Sequence, residues 1–147
     1  MEGRMQVEAP AMLTEEDVIA RIAGLPDLVD ADPGLIRCGR FLDASVLVAA
    51  GDRSVILDIR AGRVVAVVPG PGLMRSWTFA VRGTVRAWDG YWQAVPAPGW
   101  HDLFALSKRG EMIFEGALQP FVANLQYVKD LLALPRRAGC DARGGGA

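Results

Sequence analysis

The chain has 147 residues, of which 51% are apolar and 22% are charged, and its formal net charge is -1. This length suits one domain that buries about 70% of its unfolded surface, and it argues against a second large domain. The apolar content excludes a collagen-like or wholly disordered chain. A charge near zero gives no general attraction to nucleic acid, which we do not expect as a partner.

Two cysteines, Cys38 and Cys140, lie about a hundred residues apart, and the chain has one histidine. These residues lack the close Cys and His spacing of a structural zinc site and form no disulfide framework. We therefore expect no metal and no cofactor. The sequence shows no secretory signal pattern, and apolar runs such as Val64–Val68 are too short to cross a bilayer. A cytoplasmic protein without an integral membrane segment is predicted.

Charge is unevenly placed: residues 1–33 carry eight acidic and two basic side chains, whereas the remainder carries nine and fourteen. Thr14 followed by the carboxylates of residues 15–17 is typical of a helix start, because a hydroxyl cap and first-turn acids both favour the N-terminus. Apolar residues at helical spacing then predict an amphipathic helix over Glu15–Ala23. Residues 1–11 lack such a pattern and are predicted to be disordered.

From Phe41 onward the apolar period changes from 3.6 toward 2, which predicts strands. Three strands are expected at Asp43–Ala50, Ser54–Arg60 and Arg63–Val68. The turns at Gly51-Asp52 and Ala61-Gly62 favour an antiparallel meander. The prolines after Val68 cannot continue a ladder, so the third strand is predicted to end there. It is predicted at an exposed sheet edge, and two outcomes stay open: pairing in a homodimer, or flanking prolines that prevent such pairing.

The second half of the chain alternates strands with helices. Trp77, Phe79 and Val81 alternate with small or polar residues and predict a fourth strand that carries Trp77 and Phe79 on one face. The next expected elements are a helix with Trp88 and Trp92, a loop at Pro96–Gly99, a helix over Trp100–Ser107, a strand at Glu111–Glu115 and a final helix over Pro120–Ala133. Pro135 is predicted to end that helix, which leaves residues 12–134 as the domain and 135–147 as a disordered tail.

His101 and Asp102 are the best catalytic candidates by residue type, since a histidine beside a carboxylate can serve as a general base. Adjacent helical residues do not face each other, however, and no serine stands in a nucleophile motif. The glycines at positions 70 and 72 lack the lysine and hydroxyl residue of a phosphate loop. We therefore predict that the protein is not an enzyme, and keep a His101-dependent activity as a third hypothesis.

The most informative pattern is apolar and aromatic. All four tryptophans lie between positions 77 and 100, and the final helix is apolar over more than one stripe. Two explanations remain open at this point. A helix on a single sheet needs such a face to close the core, and the same residues would also suit the wall of a cavity for an apolar ligand.

The order of these elements resembles the sterol carrier protein type 2 (SCP-2) domain, also called the nonspecific lipid-transfer domain. Within residues 12–134, the matching segments are Ser54–Gly62, Val64–Val68, Trp77–Val81, Asp102–Leu106, Ile113–Gly116 and Asn124-Leu125. The resemblance implies an α/β (α+β) fold with a single five-stranded, mostly antiparallel sheet that helices cover on one face, enclosing a hydrophobic tunnel. The sequence departs from the family in its tryptophan-rich helix and in its loop at Pro96–Gly99.

Members of that family bind sterols, fatty acyl chains and other lipids without chemistry on them. The resemblance thus implies carriage of an apolar lipid or other hydrophobic small molecule, with the final helix as a lid. The cavity wall is expected to comprise Trp77, Phe79, Trp88, Trp92, Phe104, Met112, Phe114, Phe121, Leu125, Val128 and Leu132. An anionic head group at its mouth would meet Arg82, Arg86, Lys108 or Arg109. The alternative, taken by some bacterial members, is an accessory protein of ubiquinone biosynthesis that holds a polyprenyl-phenol for partner enzymes.

Overall fold

The computed structural model describes residues 13–70 and 76–144, and its strands form one sheet. The strands are β1 (Ala44–Ala50), β2 (Arg53–Arg60), β3 (Arg63–Gly70), β4 (Phe79–Gly83) and β5 (Met112–Gly116). Their order across the five-stranded sheet is β3-β2-β1-β4-β5. Neighbouring strands are antiparallel except β1 and β4, which run parallel. The mostly antiparallel sheet, its meander and the edge position of β3 are confirmed, whereas the sequence pattern does not predict the parallel pair.

Among the described helices, α1 has the bounds that the sequence predicts. The helices are α1 (Glu15–Ala23), α2 (Leu25–Asp30), α3 (Pro33–Cys38), α4 (Val85–Tyr91), α5 (Leu103–Lys108), α6 (Leu118–Ala123) and α7 (Leu125–Gly144). Thr14 caps α1, because its hydroxyl accepts from the Asp17 N–H and the Asp17 carboxylate accepts from the Thr14 N–H. This pair satisfies N–H groups that a helix start leaves unbonded. The predicted disordered arm at residues 1–11 lies outside the described residues.

The sequence pattern does not predict α2 and α3. Each has a proline in its first turn, Pro26 and Pro33, at positions where no intrahelical hydrogen bond needs the missing N–H. Asp32 caps α3 by accepting from the Leu35 N–H at 3.1 Å. Both helices have six residues, which is less than two turns and too short for an apolar period to stand out.

Capping side chains decide where α4 and α5 begin. The Thr84 hydroxyl accepts from the Ala87 N–H at 3.0 Å, and the Asp102 carboxylate accepts from the Ala105 N–H at 3.2 Å. Helix α5 therefore begins at Leu103, later than predicted, and Trp100 lies in the preceding turn. An N-cap adopts a non-helical conformation, so the residues before it cannot belong to the helix.

The predicted final helix consists of two helices. The first, α6, ends before Asn124, whose side-chain amide donates to the Pro120 carbonyl at 3.0 Å. The second, α7, begins at Leu125. The apolar pattern is continuous through this break, because α6 and α7 both place apolar residues against the same core, and so the pattern alone does not reveal it.

The prediction that Pro135 ends the final helix is wrong, since α7 continues through it to Gly144. A proline inside a helix removes one backbone hydrogen bond. Contacts on both sides of Pro135 offset that loss: Leu134 is buried, and the Arg136 Nε donates to the Tyr91 carbonyl at 2.9 Å. Tertiary contacts therefore keep the chain helical where the local signal predicts a stop.

The helices cover one face of the sheet, and the main core lies between the two. Val46 and Val48 of β1 point into this core together with alternate residues of the other strands. The opposite face carries a separate cluster of four buried residues, against which Val68 and Trp77 pack: Leu47, Ala49, Ile56 and Ala80. No residue of the described helices belongs to that second cluster, so the one-sided helical cover is confirmed.

Gly62 makes the turn between β2 and β3 possible. Its φ is +82°, and an added Cβ would lie 2.5 Å from the Ile36 carbonyl oxygen of α3. We expect Gly62→Ala to lower the free energy of unfolding by about 2–4 kcal/mol, because left-handed strain of about 1–2 kcal/mol adds to a clash with the α3 backbone. Denaturant unfolding followed by circular dichroism measures the loss.

Gly110→Ala is the matched control for that prediction. Gly110 has a φ of +79°, but no atom lies within 4 Å of an added Cβ. The control therefore carries only the backbone strain, about 1–2 kcal/mol. Equal losses in the two variants would contradict the role assigned to the contact with Ile36.

Candidate functional site

Four phenylalanines meet between the sheet and the helices α5 and α6, and we call them the phenylalanine cluster: Phe79, Phe104, Phe114 and Phe121. The ring of Phe121 has its centre 5.4 Å from that of Phe79, 6.1 Å from that of Phe104 and 4.8 Å from that of Phe114. The rings are tilted or edge-to-face, which is the geometry that aromatic quadrupoles favour. Phe121 is therefore the centre of the cluster.

The phenylalanine cluster extends from the core to the surface. Phe79 and Phe121 are fully buried, whereas Phe104 is 37% exposed. On α6, the helix that carries Phe121, the side chains of Leu118 and Val122 are also exposed, at 43% and 59%. A group of large apolar side chains that continues a core to the surface is typical of a binding region for apolar ligands.

Trp88 and Trp92 fill the core beside this cluster. The Trp88 indole N–H donates to the Ala49 carbonyl at 3.0 Å, and the Trp92 indole N–H donates to the Leu132 carbonyl at 2.7 Å. Their ring centres lie 5.3 Å apart. Because each buried indole has its one donor satisfied, both rings are fixed, and they join α4 to β1 and to α7.

Hydrogen bonds hold α7 firmly to its neighbours. The Tyr127 hydroxyl donates to the Gly62 carbonyl at 2.7 Å, and the Tyr91 hydroxyl donates to the Lys129 carbonyl at 2.9 Å. The indole bond to α7 and the Arg136 guanidinium bond to the Tyr91 carbonyl add to these. Burial raises the pKa of both tyrosines, so their hydroxyls remain protonated donors.

Helix α6 is anchored much less firmly than α7. Its N-cap, Ala117, offers no side-chain hydrogen bond, and Phe121 is its only buried residue. The bond from the Asn124 amide to Pro120 is internal. Among the hydrogen bonds of the described residues, the one from the Ala117 N–H to the Thr78 carbonyl ties the start of α6 to the sheet. Helix α6 is thus held to the rest of the described structure by fewer hydrogen bonds than α7.

One ion pair lies at the exposed end of the cluster. The Lys129 Nζ is 2.6 Å from an Asp102 carboxylate oxygen and 5.4 Å from the centre of the Phe104 ring. Burial acts to raise the pKa of Asp102, but the hydrogen bonds from Lys129 and from the Ala105 N–H outweigh it and hold that pKa below its ordinary value. The two charges cancel, so the rim of the cluster is polar but neutral.

The structure does not pair His101 with Asp102. The Asp102 carboxylate bonds with Lys129 and the Ala105 N–H, and the hydrogen bonds and ion pairs of the described residues do not include the exposed His101. In the described part of the chain, no group of three or more Cys, His, Asp or Glu side chains is placed to hold a metal ion. The Cys38 thiol is free and exposed. The described helices include none with the length and hydropathy to span a membrane.

The predicted wall residues fall into different places. Four form the phenylalanine cluster, and Leu125 packs against the core from a half-buried position. Five others are buried in the main core: Trp88, Trp92, Met112, Val128 and Leu132. Trp77 lies apart, on the opposite face of the sheet. The prediction that Trp77 and Phe79 share a face is wrong, because β4 begins at Phe79 and strand alternation does not reach back to Trp77.

Three surface cavities are formed by described residues, with volumes of about 320, 350 and 190 Å³. None of these three is lined by a predicted wall residue. Of the predicted head-group ligands, Arg82 bonds to Glu115 at 2.7 Å on the sheet face away from the helices, whereas Arg86 lines the first cavity. Nine of the eleven predicted wall residues instead lie in the main core or pack against it.

The fold has counterparts among solved structures, although no protein-family model and no curated protein matches the chain. The crystal structure of sterol carrier protein 2 superposes with a TM-score of 0.62 at 14% identity, over 80% of this chain and 94% of that chain. The chain has the SCP-2 fold. This confirms the fold expected from the sequence resemblance.

Two further structures share the SCP-2 fold with this chain. The UbiJ-SCP2 ubiquinone synthesis protein has a TM-score of 0.53 and 20% identity, over 84% of this chain and 95% of that chain. The conserved hypothetical protein TT1886 from Thermus thermophilus has a TM-score of 0.56 and 13% identity, over 79% and 86%. Identities this low establish the fold, and the function has to be argued from this chain's own residues.

The ion pair at the rim makes stability depend on pH. Asparagine caps helices as well as aspartate does, so Asp102→Asn removes the charge and keeps the cap of α5. We expect a loss of about 0.5–1 kcal/mol in unfolding free energy at pH 7. Because folding lowers the pKa of Asp102, this difference should be complete well above the ordinary carboxyl pKa of about 3.9 and should shrink as the pH falls through the lowered pKa.

Denaturant titrations of wild type and Asp102→Asn at several pH values measure that difference. Asp130→Asn is the control, because Asp130 is exposed and its carboxylate accepts from Gln126 of the same helix. A difference between wild type and Asp102→Asn that stays constant from pH 7 to pH 2.5 would rule out the assigned ion pair.

Proposed function

We propose that this protein binds an apolar lipid, such as a fatty acyl, isoprenoid or sterol-like molecule, and carries it in the cytoplasm without chemistry on it. The observation that carries this proposal is the phenylalanine cluster, which continues the core to the surface beneath the weakly anchored α6. The SCP-2 fold adds support, since a neighbour with this fold is named sterol carrier protein 2.

Lipid binding in this proposal requires α6 to open as a lid. Movement of α6 withdraws Phe121 from between Phe79 and Phe114, and the lipid chain takes its place. Exposing one phenylalanine costs about 2–3 kcal/mol, whereas burying about ten methylene groups contributes about 8 kcal/mol before ordering costs. The exchange therefore favours the bound state for a long chain and disfavours it for a short one.

The lid in this proposal is α6 alone rather than the whole predicted final helix. Opening α7 would break the buried hydrogen bonds that Tyr127 and Trp92 make with backbone carbonyls. A buried donor or acceptor left without a partner costs about 1–3 kcal/mol. The break at Asn124 lets α6 move while α7 keeps those bonds.

Phe104→Asp tests the proposed site at its exposed rim. A carboxylate there faces the acyl chain instead of an aromatic ring, so we expect affinity for a fluorescent fatty acid to fall at least about tenfold. Phe41→Asp is the matched control, because Phe41 is 83% exposed and stacks on Arg40 away from the cluster. Displacement titration with the fluorescent fatty acid measures the affinity of each variant and of wild type. Absence of wild-type binding, or equal losses in both variants, would count against lipid carriage.

Hydrogen exchange tests the lid. Amides of α6 should exchange faster than those of α7 in the lipid-free protein and gain protection when oleic acid is added, because the bound chain packs beneath α6. Mass spectrometry of peptides from 117–124 and 125–136 reads the two helices separately. Loss of protection in both helices together on lipid release would show that α6 does not move alone.

A second function is supported by a specific neighbour and by the packed core. The neighbour is named UbiJ-SCP2 ubiquinone synthesis protein, and a core filled by Trp88 and Trp92 suits a protein that presents its ligand at the surface to partner enzymes. The open edge of β3 would then be available to a partner or a second copy. Organic extraction of the purified protein distinguishes the two functions: an acyl lipid supports general carriage, and a polyprenyl-phenol supports the second function.

A further inference from the structure

The segment between α4 and α5 has no part in the lid mechanism. Residues 93–100, which we call the apolar loop, contain no charged side chain. At its tip Val95 is 88% exposed, and Ala94, Ala97 and Pro98 are exposed beside it. An aliphatic side chain this exposed adds nothing to the stability of the core. Such side chains, where they group together, are typical of surfaces that contact another molecule.

Both ends of the apolar loop are fixed. Trp92, just before it, is buried and bonded through its indole to α7. At the other end, the Trp100 ring lies so close to α4 that a Cβ added at Gly90 would be 2.7 Å from it, and the Trp100 N–H donates to the Ala97 carbonyl at 2.9 Å. The tip is thus presented by a built turn, and a surface that is ordered before docking loses little entropy when it docks.

Cationic side chains surround the aromatic end of the loop. The guanidinium carbons of Arg86 and Arg109 lie 5.6 Å and 5.0 Å from the centre of the Trp100 ring. Arg109 and its neighbour Lys108 form no ion pair among the described residues. Arg86 is 3.6 Å from Glu111 and is 63% exposed. At least two positive charges here remain available to an external anion.

Two acidic side chains oppose these cations: Glu111, which pairs with Arg86, and Asp89. Asp89 lines a groove of about 320 Å³ together with Arg86 and Trp100. Burial raises the pKa of Asp89 despite the nearby Arg21. The groove itself is lined by one guanidinium and one carboxylate. Around the loop as a whole, the three cations Arg86, Lys108 and Arg109 face the two carboxylates of Asp89 and Glu111, which leaves a surplus of one positive charge.

We propose that the apolar loop docks on the surface of an anionic lipid bilayer. Val95 reaches the acyl chains just below the head groups, Trp100 lies at the interface, and Arg86 and Arg109 face lipid phosphates. Aliphatic, indole and guanidinium groups prefer these three depths. Charge complementarity selects the occupant, since unpaired cations beside an aliphatic tip suit an anionic bilayer, while Val95 and its neighbours offer no side-chain hydrogen bonds for a specific protein partner.

The apolar loop is close to the proposed lipid site along the chain. Four residues after Trp100 comes Phe104, the exposed member of the phenylalanine cluster, and between them in the chain lies Asp102, which pairs with Lys129. Docking would place the rim of that cluster near the bilayer. The docking surface itself goes beyond the proposed lipid carriage, because it needs neither α6 nor Phe121.

Vesicle co-sedimentation of the whole chain tests the proposal. We expect binding to vesicles of equal phosphatidylcholine and phosphatidylglycerol, weakened by added salt, and at least about tenfold weaker binding to phosphatidylcholine alone. Val95→Asp and Arg109→Glu should each lower binding to the anionic vesicles at least about fivefold. The matched controls are Val65→Asp at the β3 edge and Arg37→Glu on α3, both exposed and remote from the loop, and they should bind as wild type does.

Several results would overturn docking by this loop. They are the absence of wild-type binding to anionic vesicles, equal binding to both vesicle types, and equal losses in the loop variants and their controls. A concentration-dependent dimer that Val95→Asp dissociates would instead assign the loop to a protein contact. Lipid extracted from wild type and from Val95→Asp is measured in parallel. Val95→Asp that retains lipid but loses vesicle binding supports docking, whereas wild type that binds vesicles but yields no lipid contradicts only the carriage function.

Discussion

Buried aromatic donors bonded to backbone carbonyls are the interactions on which the rest of this structure depends. Trp88 bonds to β1, Trp92 to α7, and Tyr127 joins α7 to the turn between β2 and β3. In an apolar interior, an unpaired donor or carbonyl is expensive, so these bonds fix the position of α7 against the sheet. Among the described residues, no such bond reaches the short α6, which packs on the core through Phe121.

This contrast between a fixed and a weakly held helix gives the aromatic residues different roles. Trp88 and Trp92 are bonded and therefore structural, whereas the phenylalanines have only packing to hold them. Rings without polar groups can be exchanged for an acyl chain without leaving an unpaired donor behind. The phenylalanine cluster therefore suits a replaceable ligand, and the tryptophans suit the frame around it.

The charged side chains near the phenylalanine cluster differ from those near the apolar loop. At the rim of the phenylalanine cluster, Lys129 is neutralised by Asp102, which favours an apolar rather than an ionic ligand. Around the apolar loop, Arg109 and Lys108 lack such partners among the described residues. A chain that is nearly neutral as a whole thus has a neutral rim at the phenylalanine cluster and unpaired cations near the apolar loop, as the proposed lipid site and the proposed docking surface require.

The sequence by itself determined the elements whose signals are local. The cap and first-turn acids of α1, the period of β1 to β3 with their turns, and the order that indicates the SCP-2 fold can be predicted because each depends on residues close in the chain. Only the tertiary structure decided that β1 and β4 run parallel, that Trp77 packs on the far face, and that α7 continues past Pro135. It also decided which aromatic residues are fixed and which are held by packing alone. The physical reason is that these outcomes depend on contacts between residues distant in sequence, such as Arg136 with Tyr91 and Trp92 with Leu132, which no local period encodes.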